Sequence, residues 1–372
     1  MKDALAEKLL AHVLGWNPED MARERPLLQA MAYYKYEDYK QFYPGMRFIE
    51  SLARWLARFE TLEERAKAYE FVKNDLIFCS AEEINHLVEM AYPDHVRPIL
   101  IRSVAREIGI NPHHVASVVS NEAFRIRQRQ CLFLGLSDGA RIADFRRANR
   151  DLNNEQIWQT HEISHLRALE LLSKLTEHIG QLTGGVGARE DVRFRTVVLL
   201  DDFSASGSSY YRRKPDGSTG GKIAAFHDSI TEREGALSQL IYPAGTEVIV
   251  LLYMATVGAK KHLSDHLLPL GEKQGIAYRV EAVQELSESV RLRPGVGGSI
   301  EGLIDRYYDH GVFDEHFEKG GSTDARYGYA ACGLPVVLHH NTPNNSIALL
   351  WSYDDKNVVG LFPRVQRHKE AP

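Results

Sequence analysis

The 372-residue chain has little cysteine. Cys79, Cys131 and Cys332 are far apart and odd in number. No zinc-ligand spacing and no disulfide framework follows, which predicts a reducing compartment. Long apolar runs are missing too. No stretch approaches the roughly 20 apolar residues a membrane helix needs. The N-terminal MKDALAEKLLAHVLGW carries acidic residues in its first turns and reads as an amphipathic helix, not a signal peptide. A soluble, cytoplasmic protein with no membrane partner is expected. An excess of one charge is also lacking. Lys and Arg number 45 against 50 Asp and Glu, a net charge of −5. That excludes capture of nucleic acid by whole-chain electrostatics and leaves only a local basic patch. There is no internal repeat and no low-complexity tract.

What is present is ordinary globular composition, 44% hydrophobic and 26% charged. The length suits two domains or one elaborated domain. Residues 1–128 read as a helical N-terminal domain. Phe48-Ile49-Leu52-Leu56-Phe59 and Tyr69-Val72-Leu76 repeat at helical spacing. Ser80 with Glu83 forms a capping-box signature before Ile84-Leu87-Val88-Met90. Pro93 and Pro98 punctuate the chain after that. From residue 129 the pattern changes to short, continuous apolar runs. Cys131–Leu136, Thr196–Leu200, Glu247–Met254 and Tyr278–Val283 predict buried strands. Leu334–Leu338 and Ile347–Leu350 predict two more. Helices, among them Glu162–Ile179, fall between several of them. The expected fold of 129–372 is therefore α/β with a mainly parallel, Rossmann-like sheet. Glycine-rich stretches at 184–187, 216–221 and 294–298 read as loops.

One strand leads into chemistry. Val197–Leu200 is followed by Asp201 and Asp202, then by the small-residue loop Phe203-Ser204-Ala205-Ser206-Gly207-Ser208-Ser209. At the carboxyl end of a parallel strand, ligands sit in the crevice above the sheet. Small residues let successive backbone N–H groups converge on an anion. A helix starting near Ser208 would add positive potential for a phosphate. The hydroxyls of Ser204, Ser206 and Ser208 supply further donors. The two carboxylates repel phosphate and suit ribose hydroxyls instead.

The stretch VVLLDDFSASGSS resembles the signature of type I phosphoribosyltransferases: four apolar residues, two acidic ones, then a Thr-Gly-Thr-like loop. Two departures stand out. Tyr210–Gly221 (YYRRKPDGSTGG) intervenes before Ile223–Leu240, where the family runs straight into a helix, and the chain is long. With LFLGLSDGARIADFRRAN and LPVVLHHNTPNNSIALLW, the whole resembles the phosphoribosyltransferase-like proteins of bacterial conflict and anti-phage systems, some of them retron-associated. The resemblance implies phosphoribosyl diphosphate or a nucleotide as ligand, carried with Mg²⁺. It implies transfer or cleavage of a (phospho)ribosyl group, with Asp201 and Asp202 at the reacting ribose. It also implies a defence-system partner, protein or nucleic acid. Ser137, Asp138, Gly139 and Arg141, after the first strand, would hold the diphosphate. Arg212, Arg213 and Lys214 would fold over it, unless they form a plain solvated loop. Asn344 and Asn345 would read a base edge, against the simpler reading of Asn341–Ser346 as a turn. Arg326, Tyr327 and Tyr329 would stack on a base, or pack in the core.

Two other motifs compete. His161-Glu162-Ile163-Ser164-His165 fits the H-E-x-x-H pattern of zinc metalloproteases, which needs both histidines on one helical face and a third ligand such as Glu170, Glu177 or Glu190. Ser164 as a helix cap would leave His161 outside. Residues 102–121 have the small-residue spacing of a helix-turn-helix, followed by Arg125, Arg127 and Arg129. That keeps open a non-catalytic, ligand-sensing DNA regulator, although an ordinary helical hairpin has the same spacing and Glu107 and Glu122 weaken a basic face.

Overall fold

The computed structural model describes residues 3–184, 192–214, 216–242, 244–295, 300–319, 321–351 and 359–364. Positions 185–187 and 296–298 of the glycine-rich stretches, Glu190 and Pro215 lie outside the described residues. The chain runs through helices α1 (Asp3–Leu14), α2 (Pro18–Tyr34), α3 (Phe48–Ala57) and α4 (Leu62–Asn74), then strand β1 (Ile77–Cys79). Next come α5 (Ala81–Met90), α6 (Arg97–Ile108), α7 (Val115–Ser120), α8 (Glu122–Arg129), β2 (Cys131–Gly135), α9 (Ile142–Ala148), β3 (Ile157–Trp158) and α10 (His165–Leu182). Then follow β4 (Thr196–Ser204), β5 (Arg212–Arg213), β6 (Thr219–Gly220), α11 (Lys222–Thr231), α12 (Ala236–Leu240), β7 (Glu247–Thr256), α13 (Val257–Glu272) and β8 (Ala277–Leu286). The chain closes with α14 (Glu301–Arg306), α15 (Glu315–Lys319) and β9 (Val336–Leu338). Among the described residues, no helix is long and apolar enough to cross a membrane.

Two compact units result, and their limits differ from the expected cut at 128/129. One unit is Met1–Glu83 with Ser287–Pro372; the other is Ile84–Leu286. The reason is long-range pairing. β1 pairs in parallel with β9, Ile77 against Val336. Trp55 Nε1 donates to the Leu349 carbonyl at 2.8 Å, and Ser51 Oγ to Leu361 O at 2.7 Å. Phe48, Leu52, Trp55, Leu350, Trp351 and Phe362 share one apolar core. The N-terminal helices thus complete their core with the C-terminal segment, while helices α6 to α13 belong to the sheet unit. Leu334–Leu338 contributes only the short β9, and the expected strand Ile347–Leu350 is instead a single 3₁₀ turn, Ala348–Leu350.

The Ile84–Leu286 unit is the expected α/β body. Its five strands lie in the order β3-β2-β4-β7-β8, and every pairing is parallel. β2 is buried throughout, and β7 is buried from Val248 to Thr256. Continuous apolar runs follow from that, because helices cover both faces. Val197 and Leu199 of β4 pack with Leu171 and Leu175 of α10, Phe226 of α11 and Leu263 of α13. On the other face, Phe133 packs at a tilt on Phe145 of α9, with ring centroids 5.1 Å apart, and edge-to-face with Tyr92 at 5.9 Å. Each such buried side chain contributes roughly 1.5–3 kcal/mol. Pro93 does not end its helix. A π-helical turn, Ala91–Val96, carries α5 into α6, and Pro98 falls in the first turn of α6, where no intrahelical N–H bond is lost.

Connectivity sets where a ligand can go. From β2 the chain crosses by α9 to β3 at the edge, then returns by α10 to β4 on the far side of β2. Successive strands therefore turn away from each other between β2 and β4. In open parallel sheets, that switch point leaves a crevice beyond the strands' carboxyl ends.

Candidate functional site

Both predicted loops leave the sheet at this switch point. β4 is longer than the apolar run suggested and includes the acidic pair, with Asp201 against Leu252 and Ser204 against Ala255 of β7. Gly135 of β2 pairs with Leu200, and Leu136 N donates to Leu200 O at 3.0 Å. Ser137 is thereby brought beside Asp201, and its Oγ donates to Asp201 Oδ1.

Strand alternation gives the two aspartates different surroundings. Asp201 points to the face of Val197 and Leu199 and is fully buried. Its Oδ2 accepts from Lys222 Nζ at 2.6 Å. Burial and the neighbouring Asp202 carboxylate still push its pKa above the usual carboxylate range, against the pull of Lys222 and Ser137. Asp202 points the other way and is only half-buried. A Cβ on Gly139 would lie 2.5 Å from the Asp202 carboxylate, so a side chain there would displace that carboxylate. Tyr253 OH donates to Ala140 O at 2.5 Å and holds the turn Asp138–Ala140 down on β7.

The serine loop is tied at its base and open along its rim. Thr256 Oγ1 donates to Ala205 O at 2.6 Å, and Gly207 N donates to Ser204 Oγ at 3.2 Å. Ser206 Oγ and Ser208 Oγ are hydrogen-bonded at 2.8 Å. The backbone N–H groups of Ser206 and Ser209 donate to no acceptor among the described residues. Ser206 is half-buried and Ser209 exposed, and unspent N–H groups in a small-residue loop suit an anion.

No helix starts at Ser208, contrary to expectation. Gly207 takes a left-handed φ of 77°, and the N–H groups of Tyr210 and Tyr211 fold back onto its carbonyl. The chain then makes a small hairpin, β5 antiparallel to β6. The hairpin closes on itself: Lys222 N donates to Ser209 O at 3.2 Å and Ile223 N to Tyr210 O at 2.9 Å. Helix α11 consequently begins against the serine loop. The Tyr210–Gly221 departure is an excursion inserted between loop and helix, and Arg212, Arg213 and Lys214 lie on it. Arg212 Nη1 reaches back to Ser208 O at 3.3 Å.

Lys222 is a site residue that the motif did not reveal. A lysine in the first turn opposes the helix dipole, and Gly221 offers no side-chain cap. The buried Asp201 carboxylate compensates, and the Tyr210 ring lies 5.0 Å from the ammonium. Lys222→Met is expected to cost about 1–3 kcal/mol near pH 8 by leaving Asp201 buried without its cation. Its folded-state pKa then rises further, so the folded form binds a proton that the unfolded form releases. The deficit should shrink as pH falls toward 5, where the neutral acid is tolerated. Urea denaturation at the two pH values checks this; a deficit independent of pH removes Asp201 as the cause.

The remaining predicted residues lie as follows. Arg141, at φ 47°, donates to Asn85 Oδ1 at 2.9 Å and lies 3.6 Å from Asp144. Asn344 and Asn345 belong to the other unit, in the turn after β9. The Asn345 amide donates to Tyr329 O at 3.1 Å and Cys332 Sγ at 3.4 Å, while Tyr329 N donates to Asn344 O at 2.7 Å. Arg326 is paired with Asp305 and Asp324, and Tyr327 and Tyr329 are buried in the core.

The metalloprotease reading is corrected. Helix α10 starts at His165 with Ser164 as its N-cap, so His161 and His165 do not share a helical face. No group of three metal-ligating side chains occurs among the described residues. In the helix-turn-helix region, α7 has six residues, Arg127 is paired with Glu107, and Arg129 is buried.

The profile of the PRTase-CE family matches residues 52–364, more than four-fifths of the chain. The chain belongs to the PRTase-CE family. It is a phosphoribosyltransferase-like protein, and the match to PRTase-CE spans the sheet unit and most of the other unit. No curated protein and no solved structure matches it.

Proposed function

We propose that this PRTase-CE protein binds phosphoribosyl diphosphate or a nucleotide across the switch point, and transfers or cleaves a (phospho)ribosyl group there. One observation carries the reading. The Ser137–Arg141 turn and the Asp201–Ser209 loop leave adjacent parallel strands with Asp202 packed on Gly139 between them. The loop N–H groups at Ser206 and Ser209, with nearby serine hydroxyls, take the 5′-phosphate. The turn at Ser137, Asp138 and Gly139 takes the diphosphate through its backbone. Asp202, half-buried, takes the ribose hydroxyls. Asp201 positions this set by holding Ser137 and Lys222.

Anchoring both phosphates fixes C1 of the ribose before the acceptor. As the C1–oxygen bond to diphosphate breaks, its electron pair leaves with the diphosphate, and positive charge grows on the ring. The carboxylate of Asp202, bonded to the ribose hydroxyls, would balance that charge. Of the acidic pair, the half-buried Asp202 would hold Mg²⁺ arriving with the diphosphate, while Asp201 is held by Ser137 and Lys222. The ion would supply neutralisation of the charge on the leaving diphosphate. The stretches similar to conflict-system proteins support a role in anti-phage defence, with a partner protein or nucleic acid controlling the activity.

The test is incubation of the full chain with phosphoribosyl diphosphate, Mg²⁺ and a nucleotide pool, followed by mass spectrometry. A ribosylated product or a released base establishes turnover and its direction. Neither binding nor turnover with any of these ligands rejects the reading.

A further inference from the structure

Arg129 carries a second inference, independent of the ribose reading. It ends α8, two residues before β2, and is only 3% exposed. Its Nε donates to His178 Nδ1 at 3.0 Å. Its Nη1 is buried and donates to nothing among the described residues, and no described carboxylate lies within 4.0 Å of the guanidinium. A buried guanidinium without a counter-ion is costly unless something anionic joins it. Burial indeed pulls its pKa down to about 10.

The surroundings are a cavity of about 310 Å³. Its wall holds His178, Gln181 and Lys174 of α10 and Asn153 from the turn before β3. Since His178 Nδ1 accepts from Arg129, its proton sits on Nε2, making the ring a second donor. Asn153 Nδ2 lies 3.3 Å from the same Nδ1 and reinforces that tautomer. Two glutamates also line the cavity. Glu155 is spent on Lys174 at 3.1 Å, and Glu177 is exposed and accepts from Gln181 Nε2 at 3.4 Å. Glu155 also attracts Arg129 from beyond 4.0 Å, so Arg129 is the one cation of this donor-rich wall without a carboxylate in direct contact among the described residues. The volume falls at the small end for metabolite sites.

We infer that this cavity is a binding site for a small molecule bearing an oxyanion, phosphate or carboxylate, which completes the coordination of Arg129. It lies at the amino ends of the strands. Arg129 precedes Cys131, which pairs with Thr196, whereas the ribose site begins beside Leu200. At about 3.3 Å per residue the two sites are roughly 20 Å apart. A ligand here therefore does not compete with one at Asp202.

The experiment is thermal unfolding of the full chain in inorganic phosphate or acetate, at constant ionic strength against chloride. At least one of the two anions is expected to raise Tm in the wild type and in Asp202→Asn, and the responding anion identifies the head group. The rise should vanish in Arg129→Met. Should that variant not fold, Gln181→Glu decides. It adds a carboxylate at an exposed helical position, and the affinity for the responding anion should fall at least tenfold. No response beyond chloride in the wild type overturns the proposal, as does an undiminished response in Arg129→Met or Gln181→Glu. Because the readout is anion binding without turnover, its failure is separate from failure of the ribose reading.

Discussion

Asp202→Asn is expected to weaken binding of phosphoribosyl diphosphate about 10²–10³-fold, while leaving the folded state intact. Two hydrogen bonds from ribose hydroxyls to an ionised carboxylate are lost, each worth about 1.5–3 kcal/mol. The fold should survive because Asp202 is half-buried and the Phe203 N–H, which donates to its Oδ1 at 2.8 Å, can donate equally to an amide oxygen. Isothermal calorimetry with Mg²⁺ measures this, with unfolding as control. Unchanged affinity would make the ribose assignment wrong. Asp201→Asn should behave differently. The buried Asp201 is held by Ser137 and Lys222, so its replacement should act on stability as well as on affinity. Since its pKa is raised in the fold, its ionisation opposes folding as pH climbs through that raised value. The Asn variant should therefore show a flatter stability profile on the acid side of neutrality.

Gly221→Ala carries the second large effect. Gly221 has φ 109° and ψ 168°, a region open essentially to glycine alone. A Cβ there would lie 2.4 Å from the Tyr210 carbonyl oxygen, where the hairpin closes and α11 begins. Relief requires separating the serine loop from the helix. The expected cost is roughly 3 kcal/mol or more, or a fall in Tm of about 6–12 °C. Gly217→Ala is the control. It also has a left-handed φ, 82°, but a Cβ there meets nothing within 4 Å, so it should cost only about 1 kcal/mol. Equal costs at the two positions would show that the closed base of the hairpin is not what glycine protects.

The legible parts of this protein were those governed by local rules. Cys131–Leu136 and Glu247–Met254 read as buried strands, observed at Cys131–Gly135 and Glu247–Thr256, because both faces are covered, which leaves no polar alternation. That β4 gives way to a small-residue loop was legible for a related reason: a succession of Ser and Gly favours a turn over a continued packed strand. Ile347–Leu350 misled because an apolar run of four has no period long enough to separate a strand from a buried turn. β3, only two residues long, carried no signal at all.

Lys222 and the closure of the hairpin were invisible for a different reason. Twenty-one residues separate Lys222 from Asp201, and the contact exists only because the excursion returns to its base. The division into units is of the same kind. The N-terminal helices look self-sufficient by periodicity, yet their core is finished by Leu350, Trp351 and Phe362.

The sequence by itself determined the strand order's raw material, the acidic pair and the serine loop, since period, composition and turn chemistry act over a few residues. Tertiary structure alone decided that the two aspartates differ, one buried on Lys222 and one half-exposed over Gly139, because adjacent strand residues point to opposite faces whose partners come from distant chain. It also decided that Arg129 is buried without a carboxylate in direct contact among the described residues, for burial and pairing are properties of the assembled neighbours and not of the residue.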